Sequence, residues 1–196
     1  MSYEDRNEQP EFGSGSYGSS GQLPPRGHVP RGDDDEDLSG AAEHASRNAG
    51  GSGDRDLFSS ILGNFVGNKS QLANEEIDEQ AAVSHHKKFF GGEDDGASEA
   101  DSGSMGNAAA LQALKMFTGG SGSGGSSQSE FIGLAMSEAS KLFEQQGSQG
   151  RVSSGSSKES AVQQAGEMAL KMYMKSKVGG SGGGSSGLMS LASRFM

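Results

Sequence analysis

The stretch EFIGLAMSEASKLFEQQ, residues 130–146, decides which fold class the sequence predicts. Its apolar residues recur at intervals of three and four, which places them on one side of a helix. These residues are Ile132, Ala135, Met136, Ala139, Leu142 and Phe143. Ser129 precedes the stretch as a predicted N-cap, and no segment of the chain alternates polar and apolar residues as a half-buried strand does. The sequence therefore predicts an all-α protein built from short amphipathic helices.

Capping residues bound two further helices nearer the N-terminus. Either Asp54 or Asp56 is placed to cap an amphipathic helix that ends at Gly67. Asp78 is placed to cap the next helix, whose last turn carries two lysines and which ends at Gly91. Each helix is predicted to gather its apolar residues on one face, and in the second helix this is the inner face.

An internal repeat organises the C-terminal half. The pentad ALKMF at residues 113–117 recurs as ALKMY at residues 169–173, and a Gly/Ser tract follows each copy. Asn107 is the predicted cap of the first repeated helix, and Ser156 that of the second. Short linkers between amphipathic helices favour helical hairpins, which bury enough apolar surface only when they stack. We therefore expect one helix–linker–helix arrangement at residues 106–144 and again at 158–196.

Composition divides the chain into four parts. Residues 1–37, rich in Gly and Ser and ending in DDDED, are predicted to be a disordered acidic tail. Residues 38–92 are the N-terminal helical segment, and residues 93–105 are a flexible acidic linker. Residues 106–196 carry the tandem helix–linker–helix repeats.

The overall composition excludes several classes of function. Only 31% of the residues are hydrophobic, against roughly 45–50% in typical domains, and the net charge is -10. The absence of cysteine removes disulfides, thiolate nucleophiles and Cys-based metal sites. The acidic balance opposes nucleic-acid binding, because phosphates would be repelled. Neither a secretory signal nor a transmembrane run is recognisable, so we expect a cytoplasmic protein, with the nucleus left open.

Chemical motifs are weak throughout the sequence. His85 and His86 are adjacent, so on a helix they point about 100° apart and cannot chelate one ion. We expect His86 to pack on the inner face and His85 to be solvated. Residues 33–37 and 93–95 are acidic but lack EF-hand spacing, and the Gly/Ser tracts lack the ending of a phosphate loop. We accordingly predict no catalytic residues, no cofactor, no metal and no small-molecule substrate.

A set of apolar and methionine-rich positions is the best candidate for an interaction surface. Flexible thioethers beside small residues suit a promiscuous binding surface, although the same pattern also describes a soft core. The predicted partner-facing residues are Leu57, Phe58, Ile61, Leu62, Phe65, Phe131, Met136, Leu142, Phe143, Met168, Met172 and Tyr173.

The function that these observations favour is a non-enzymatic interaction or stress-associated role. The helical hairpins would self-associate or dock on a partner helix. The alternative is a peripheral protein whose amphipathic helices, residues 57–66 among them, bind a membrane surface. An enzyme is disfavoured because no arrangement of nucleophile, base and orienting group is recognisable.

Three runs resemble a family of uncharacterised, small, Gly/Ser-rich fungal proteins, some of which carry the label "beta-flanking protein". The runs lie at residues 57–92, at residues 138–146 (EASKLFEQQ) and at residues 168–176 (MALKMYMKS). The resemblance covers residue 38 to the end of the sequence. It implies a helical, intracellular protein, and it implies no enzymatic activity and no site residues.

Overall fold

The amphipathic segments of the sequence are helices in the computed structural model of the chain. The structure describes residues 38, 40–92, 99–119, 127–179 and 192–193. The predicted tail at 1–37 lies outside these described residues, as do residues 93–98 of the predicted linker. The described helices all belong to one compact unit, residues 31–196, whereas a second unit, residues 1–30, lies wholly outside the described ranges.

Six α-helices account for most of the described residues, and no strand occurs among them, so the all-α prediction is confirmed. The helices are α1 (Ala41–Ala49), α2 (Arg55–Asn74), α3 (Glu79–Phe90), α4 (Ser102–Gly119), α5 (Gln128–Ser148) and α6 (Lys158–Gly179). A 3-10 turn at Gly50–Ser52 joins α1 to the segment before α2.

The N-cap predicted for α3 is confirmed, and of the two candidates for α2 it is Asp54 that caps the helix. One carboxylate oxygen of Asp54 accepts hydrogen bonds from the amides of Asp56 and Leu57, at 3.1 and 3.2 Å. The Asp78 carboxylate likewise accepts from the amide of Ala81 at 2.9 Å. Each cap satisfies backbone donors that have no partner within the helix, which is worth about 1 kcal/mol.

The predicted end of α2 at Gly67 is wrong. The helix continues for two further turns to Asn74, and Gly67 lies inside it with its surface exposed. The buried face of the helix runs from its first half through Phe65 to Leu72, which is only 6% exposed. Burying Leu72 contributes roughly 1.5–3 kcal/mol, which outweighs the cost of about 1 kcal/mol for a glycine in a helix interior.

The predicted cap of α4 at Asn107 is also wrong, because the helix begins at Ser102. Asp101 caps it instead, accepting a hydrogen bond from the Ser104 amide at 2.8 Å. Met105, which is fully buried, anchors this first turn. Serine and glycine are poor helix formers, so tertiary burial rather than local propensity extends the helix into the predicted linker.

Two serine caps are shifted by one or two positions from their predicted places. Ser127 rather than Ser129 accepts the capping hydrogen bond at the start of α5, at 3.2 Å. Ser157 rather than Ser156 does so at the start of α6, at 3.1 Å. Ser156 instead accepts a hydrogen bond from the amide of Ser102, at 3.0 Å. The N-termini of α4 and α6 are therefore tied together.

α5 is the central helix of the packing. It packs against α1, α4 and α6, while α4 also packs against α6 and α3, and α2 packs against α6 and α1. The large side chains of the main core include Phe58, Ile61, Phe65, Leu114, Phe131, Ile132, Met136, Leu170 and Met172. A separate second cluster consists of the buried residues Ala100, Met105, Ala108, Leu142 and Ala161.

The repeated sequence forms equivalent helices in α4 and α6. Their first residues are 56 positions apart, and their capping residues, Asp101 and Ser157, keep the same spacing. Equivalent buried residues are Ala109 and Ala165, Ala113 and Ala169, and Leu114 and Leu170. Of the second arm of the second repeat, the structure describes residues 192–193, which are helical and include a buried alanine. The prediction that both repeats share one arrangement thus agrees with their first helices and stays a prediction for the rest.

Two glycines allow the closest helix contacts. A Cβ atom on Gly133 of α5 would lie 2.6 Å from the carbonyl oxygen of Ala41 in α1. A Cβ atom on Gly106 of α4 would lie 2.9 Å from the backbone nitrogen of Ala165 in α6. Both neighbours are backbone atoms, so only glycine permits these approaches without moving a helix.

Candidate interaction surface

The structure places most of the predicted partner-facing residues in the chain's own interior. Ten of the twelve are buried: Phe58, Ile61, Leu62, Phe65, Phe131, Met136, Leu142, Met168, Met172 and Tyr173. Leu57 and Phe143 are half-buried and pack against the core clusters. These side chains therefore cannot face a partner while the fold is intact, and the predicted partner-facing stripe is corrected to a core.

Tight contacts between helices explain this burial. The ring of Phe65 covers Gly166, where a Cβ atom would lie 2.7 Å from its Cζ. The Phe131 ring lies 5.3 Å from the Phe117 ring, centroid to centroid. Methionine side chains such as Met136 fill the space beside them, as flexible thioethers do in irregular cores. The soft-core alternative is the one that fits these contacts.

Few large apolar side chains remain exposed in the described part of the chain. Val66 on α2 is 47% exposed, and Met116 near the end of α4 is 39% exposed. Single exposed apolar residues are normal on a protein surface. Their surroundings therefore decide whether either one marks an interaction surface.

Val66 lies on a helix face that carries no charge between Asp56 at its start and Lys69. We call this the α2 outer face; its exposed members are Ser59, Ser60, Gly63, Asn64, Val66, Gly67, Asn68, Ser70 and Gln71. A Cβ atom added to Gly63 or Gly67 would meet nothing within 4 Å. Solvent-facing helix surfaces usually carry charged residues, so an uncharged face of this length is unusual. The sequence contains a signal for this face, because no charged residue stands between Asp56 and Lys69. The prediction that the helix ends at Gly67 divided the face and hid that signal.

The two histidines lie between α3 and α4. The Nε2 atom of His86 is 2.9 Å from the Oε1 atom of Gln112, and its ring stacks on Phe90 at 5.3 Å. His86 therefore packs inward, as predicted. His85 is half-buried rather than solvated, and its buried Nδ1 atom has no hydrogen-bond partner. Among the described residues, no group of three histidine or carboxylate side chains is placed to hold a metal ion.

Asp101 lies close enough to His85 for the two side chains to interact electrostatically. Burial is the largest influence on its pKa and raises it, but hydrogen bonds from the Ser104 amide and hydroxyl, with the charge of His85 nearby, bring the pKa below its usual value of 3.8. The carboxylate is thus held ionised at the start of α4, where it interacts favourably with the helix dipole. Its role in the structure is that of a cap.

An open cavity of about 410 Å³ lies along α3. Its lining consists of Glu79, Gln80, Val83, Ser84 and Lys87. All five residues belong to a single helix, and they do not converge as the walls of a ligand site do. The cavity therefore adds no candidate for catalysis.

No described helix is both long and apolar enough to cross a bilayer.

Comparison with known proteins identifies a domain in the N-terminal part of the chain. Residues 37–122 match a Domain of unknown function (DUF7721). No curated protein and no solved structure matches the chain. The matched range contains α1 to α4 and stops before α5, although α5 packs against both α1 and α4. The match carries no activity, organism or label, so the fungal resemblance stays a prediction.

Proposed function

We propose that this protein is a non-enzymatic helical interaction protein that associates with a second copy of itself through the α2 outer face. The observation that carries this proposal is the exposed Val66 beside two glycines, Gly63 and Gly67, that have open space above them. Glycines on a helix surface let another helix approach closely, and Val66 supplies apolar area at the contact.

The chain itself uses this kind of packing elsewhere. Gly133 and Gly106 bring α1 against α5 and α4 against α6, with backbone atoms close to the position of a Cβ. The α2 outer face presents two glycines and the apolar side chain of Val66 to solvent. Intermolecular contact there would repeat the packing that holds the monomer together.

Electrostatics also favour a second copy as the partner. The described residues contain 12 lysines and arginines and 14 aspartates and glutamates, so they carry only -2 of the net charge of -10. The α2 outer face contributes no charge to that balance. Two copies can therefore bring this face together without placing like charges opposite each other.

A membrane-surface role has less support. The apolar residues of 57–66 that would enter a lipid interface are mostly those that fill the main core, Phe58 and Ile61 among them. Lipid binding through this helix would need the core to open. No observation on the described residues favours a nucleic acid or a small-molecule substrate.

Sedimentation velocity over a wide concentration range tests the proposal. We expect the wild-type chain to shift from monomer towards dimer as concentration rises, and Val66→Glu to remain monomeric because each dimer would bury two unpaired carboxylates. Met116→Glu is the matched control, since it changes the other exposed large apolar side chain and should leave association intact. A chain that is monomeric at every concentration, or equal effects of the two variants, would contradict the proposal.

Vesicle co-sedimentation distinguishes membrane-surface binding, the alternative function, from the proposed self-association. Phosphatidylcholine vesicles should leave the wild-type chain in the supernatant. If the chain pellets with them and Val66→Glu does not, the α2 outer face is a lipid-binding surface instead.

A further inference from the structure

The α3 helix is attached to the rest of the described structure differently from its neighbours. Within the described ranges it packs extensively against α4 alone, whereas α4, α5 and α6 each pack against several helices. Ala82 is its single fully buried residue, and its two phenylalanines are only partly buried. Burial of apolar surface is the main source of stabilisation, and α3 buries only a small part of that surface.

The contacts of α3 fix its direction along α4. His86 lies against Gln112, and further along α3 the Nζ atom of Lys88 donates to the carbonyl oxygen of Glu99 at 3.1 Å. As residue numbers rise in α3, the contacted residues fall, so the two helices run antiparallel. Phe89 and Phe90 pack against the second cluster, to which Met105 belongs.

The surface of α4 beneath α3 is apolar apart from Gln112. Met105 and Gln112 are seven residues apart and so lie on nearly the same face of α4, with Ala108 between them. Met105 and Ala108 are fully buried. Without α3, these residues and the half-buried Phe143 of α5 would form an apolar surface open to water.

The chain on either side of α3 is non-helical, and before the helix Ile77 stays anchored in the main core. Residues 75–78 before it are non-helical, and after it Gly91 is followed by Gly92, whose φ of 75° lies in the left-handed region. A left-handed glycine ends the helix and lets the chain turn away. Local opening of a peripheral element costs less free energy than global unfolding when few buried contacts are lost.

We propose that α3 is a hinged cover that opens as a unit while the other helices stay folded. Opening exposes a helix-binding groove formed by Met105, Ala108 and Phe143. In the closed state α3 itself fills this groove. The groove lies on α4 and α5 and not on the α2 outer face. This proposal is therefore independent of the proposed self-association.

Thiol labelling of the full-length chain tests the cover, because the chain contains no cysteine of its own. Met105→Cys reports on the second cluster and Met136→Cys on the main core; both methionines are fully buried. With a small aromatic disulfide reagent under native conditions, we expect Met105→Cys to react at least tenfold faster. We also expect its rate to depend only weakly on urea, since local opening exposes little surface.

A second variant tests whether α3 controls this access. His86→Ala removes the contact with Gln112 and should speed labelling of Met105→Cys roughly three- to tenfold, the effect of one lost hydrogen bond. Labelling of Met136→Cys should not change. If either methionine substitution unfolds the chain, Ala108→Cys and Ala139→Cys form an equivalent pair of fully buried sites. Equal labelling rates with the same steep urea dependence at both sites would overturn the proposal.

Discussion

At the scale of single residues, the environment of a side chain decides what the same amino acid does. Gly133 and Gly147 both lie in α5. At Gly133 a Cβ atom would collide with the backbone of α1, whereas at Gly147 the nearest atom apart from its own helix backbone, the Cγ2 of Val152, is 4.0 Å away. One glycine is required by packing, and the other only weakens its helix.

Gly133→Ala should therefore lower the free energy of unfolding by about 1–3 kcal/mol, the usual cost of overpacking against atoms that cannot move aside. Gly147→Ala is the control on the same helix and should be neutral or stabilising by up to about 1 kcal/mol. Urea denaturation followed by circular dichroism measures both values. If Gly133→Ala proves as stable as Gly147→Ala, α1 and α5 do not approach as closely as described.

At the scale of helices, α2 combines good burial on one side with poor helix formers on the other. Its inner residues fill the main core, while its outer face carries two glycines with open space above them. A helix of such composition is held by tertiary packing and not by local propensity. Its stability and its surface can consequently be changed separately.

The double substitution Gly63→Ala and Gly67→Ala should raise the free energy of unfolding by up to about 1 kcal/mol per site. The same change should weaken self-association, because the added methyl groups keep a second helix from approaching closely. Thermal melts give the first effect and sedimentation velocity the second. Gly147→Ala provides the comparison, since it should stabilise without altering association. An unchanged dimer fraction in the double variant would show that the α2 glycines are not at the interface.

At the scale of the whole molecule, carboxylates connect stability to pH. Asp101 caps α4 beside the N-terminus of α6, and its pKa is below 3.8 in the folded chain. A group whose pKa falls on folding stabilises the fold above its unfolded pKa, and that stabilisation disappears as the pH drops through the folded pKa. Hydrogen bonds from Lys158 and Ser52 lower the pKa of Glu144 in the same direction.

The free energy of unfolding should therefore fall as the pH decreases below about 4. Asp101→Asn isolates the part due to Asp101, because asparagine is also a good N-cap but does not titrate there. Wild type should be the more stable of the two at about pH 6, and this advantage should be lost as the pH falls through the lowered pKa of Asp101 in the folded chain. Urea titrations at several pH values measure the difference. An advantage that stays constant across this range would contradict the role given to the Asp101 charge.

Local sequence signals predicted which helices exist better than they predicted where each helix begins and ends. Asp78 was found as a cap, and Asp54 as one of two candidates, because an acidic residue just before an amphipathic run can accept hydrogen bonds from the free amides of the first turn. The first turn of α4 was missed because SGSMGN is a weak helix former, and its order comes from Met105 entering the second cluster. The sequence identified the twelve apolar positions together. Whether these side chains face a partner or the chain's own core depends on how the helices pack against one another, which the pattern of a single helix does not contain.

By itself, the sequence determined that the protein is helical, where most of its helices lie, and that α4 and α6 repeat one another. Periodicity, capping residues and the repeated ALKM segment are local properties that need no knowledge of the fold. Only the tertiary structure decided which side of each helix is covered, which glycines are required and which serine caps which helix. These outcomes depend on distances between segments far apart in the chain. The α2 outer face and the cover formed by α3 both result from that packing, because exposure is fixed by neighbouring helices and not by sequence alone.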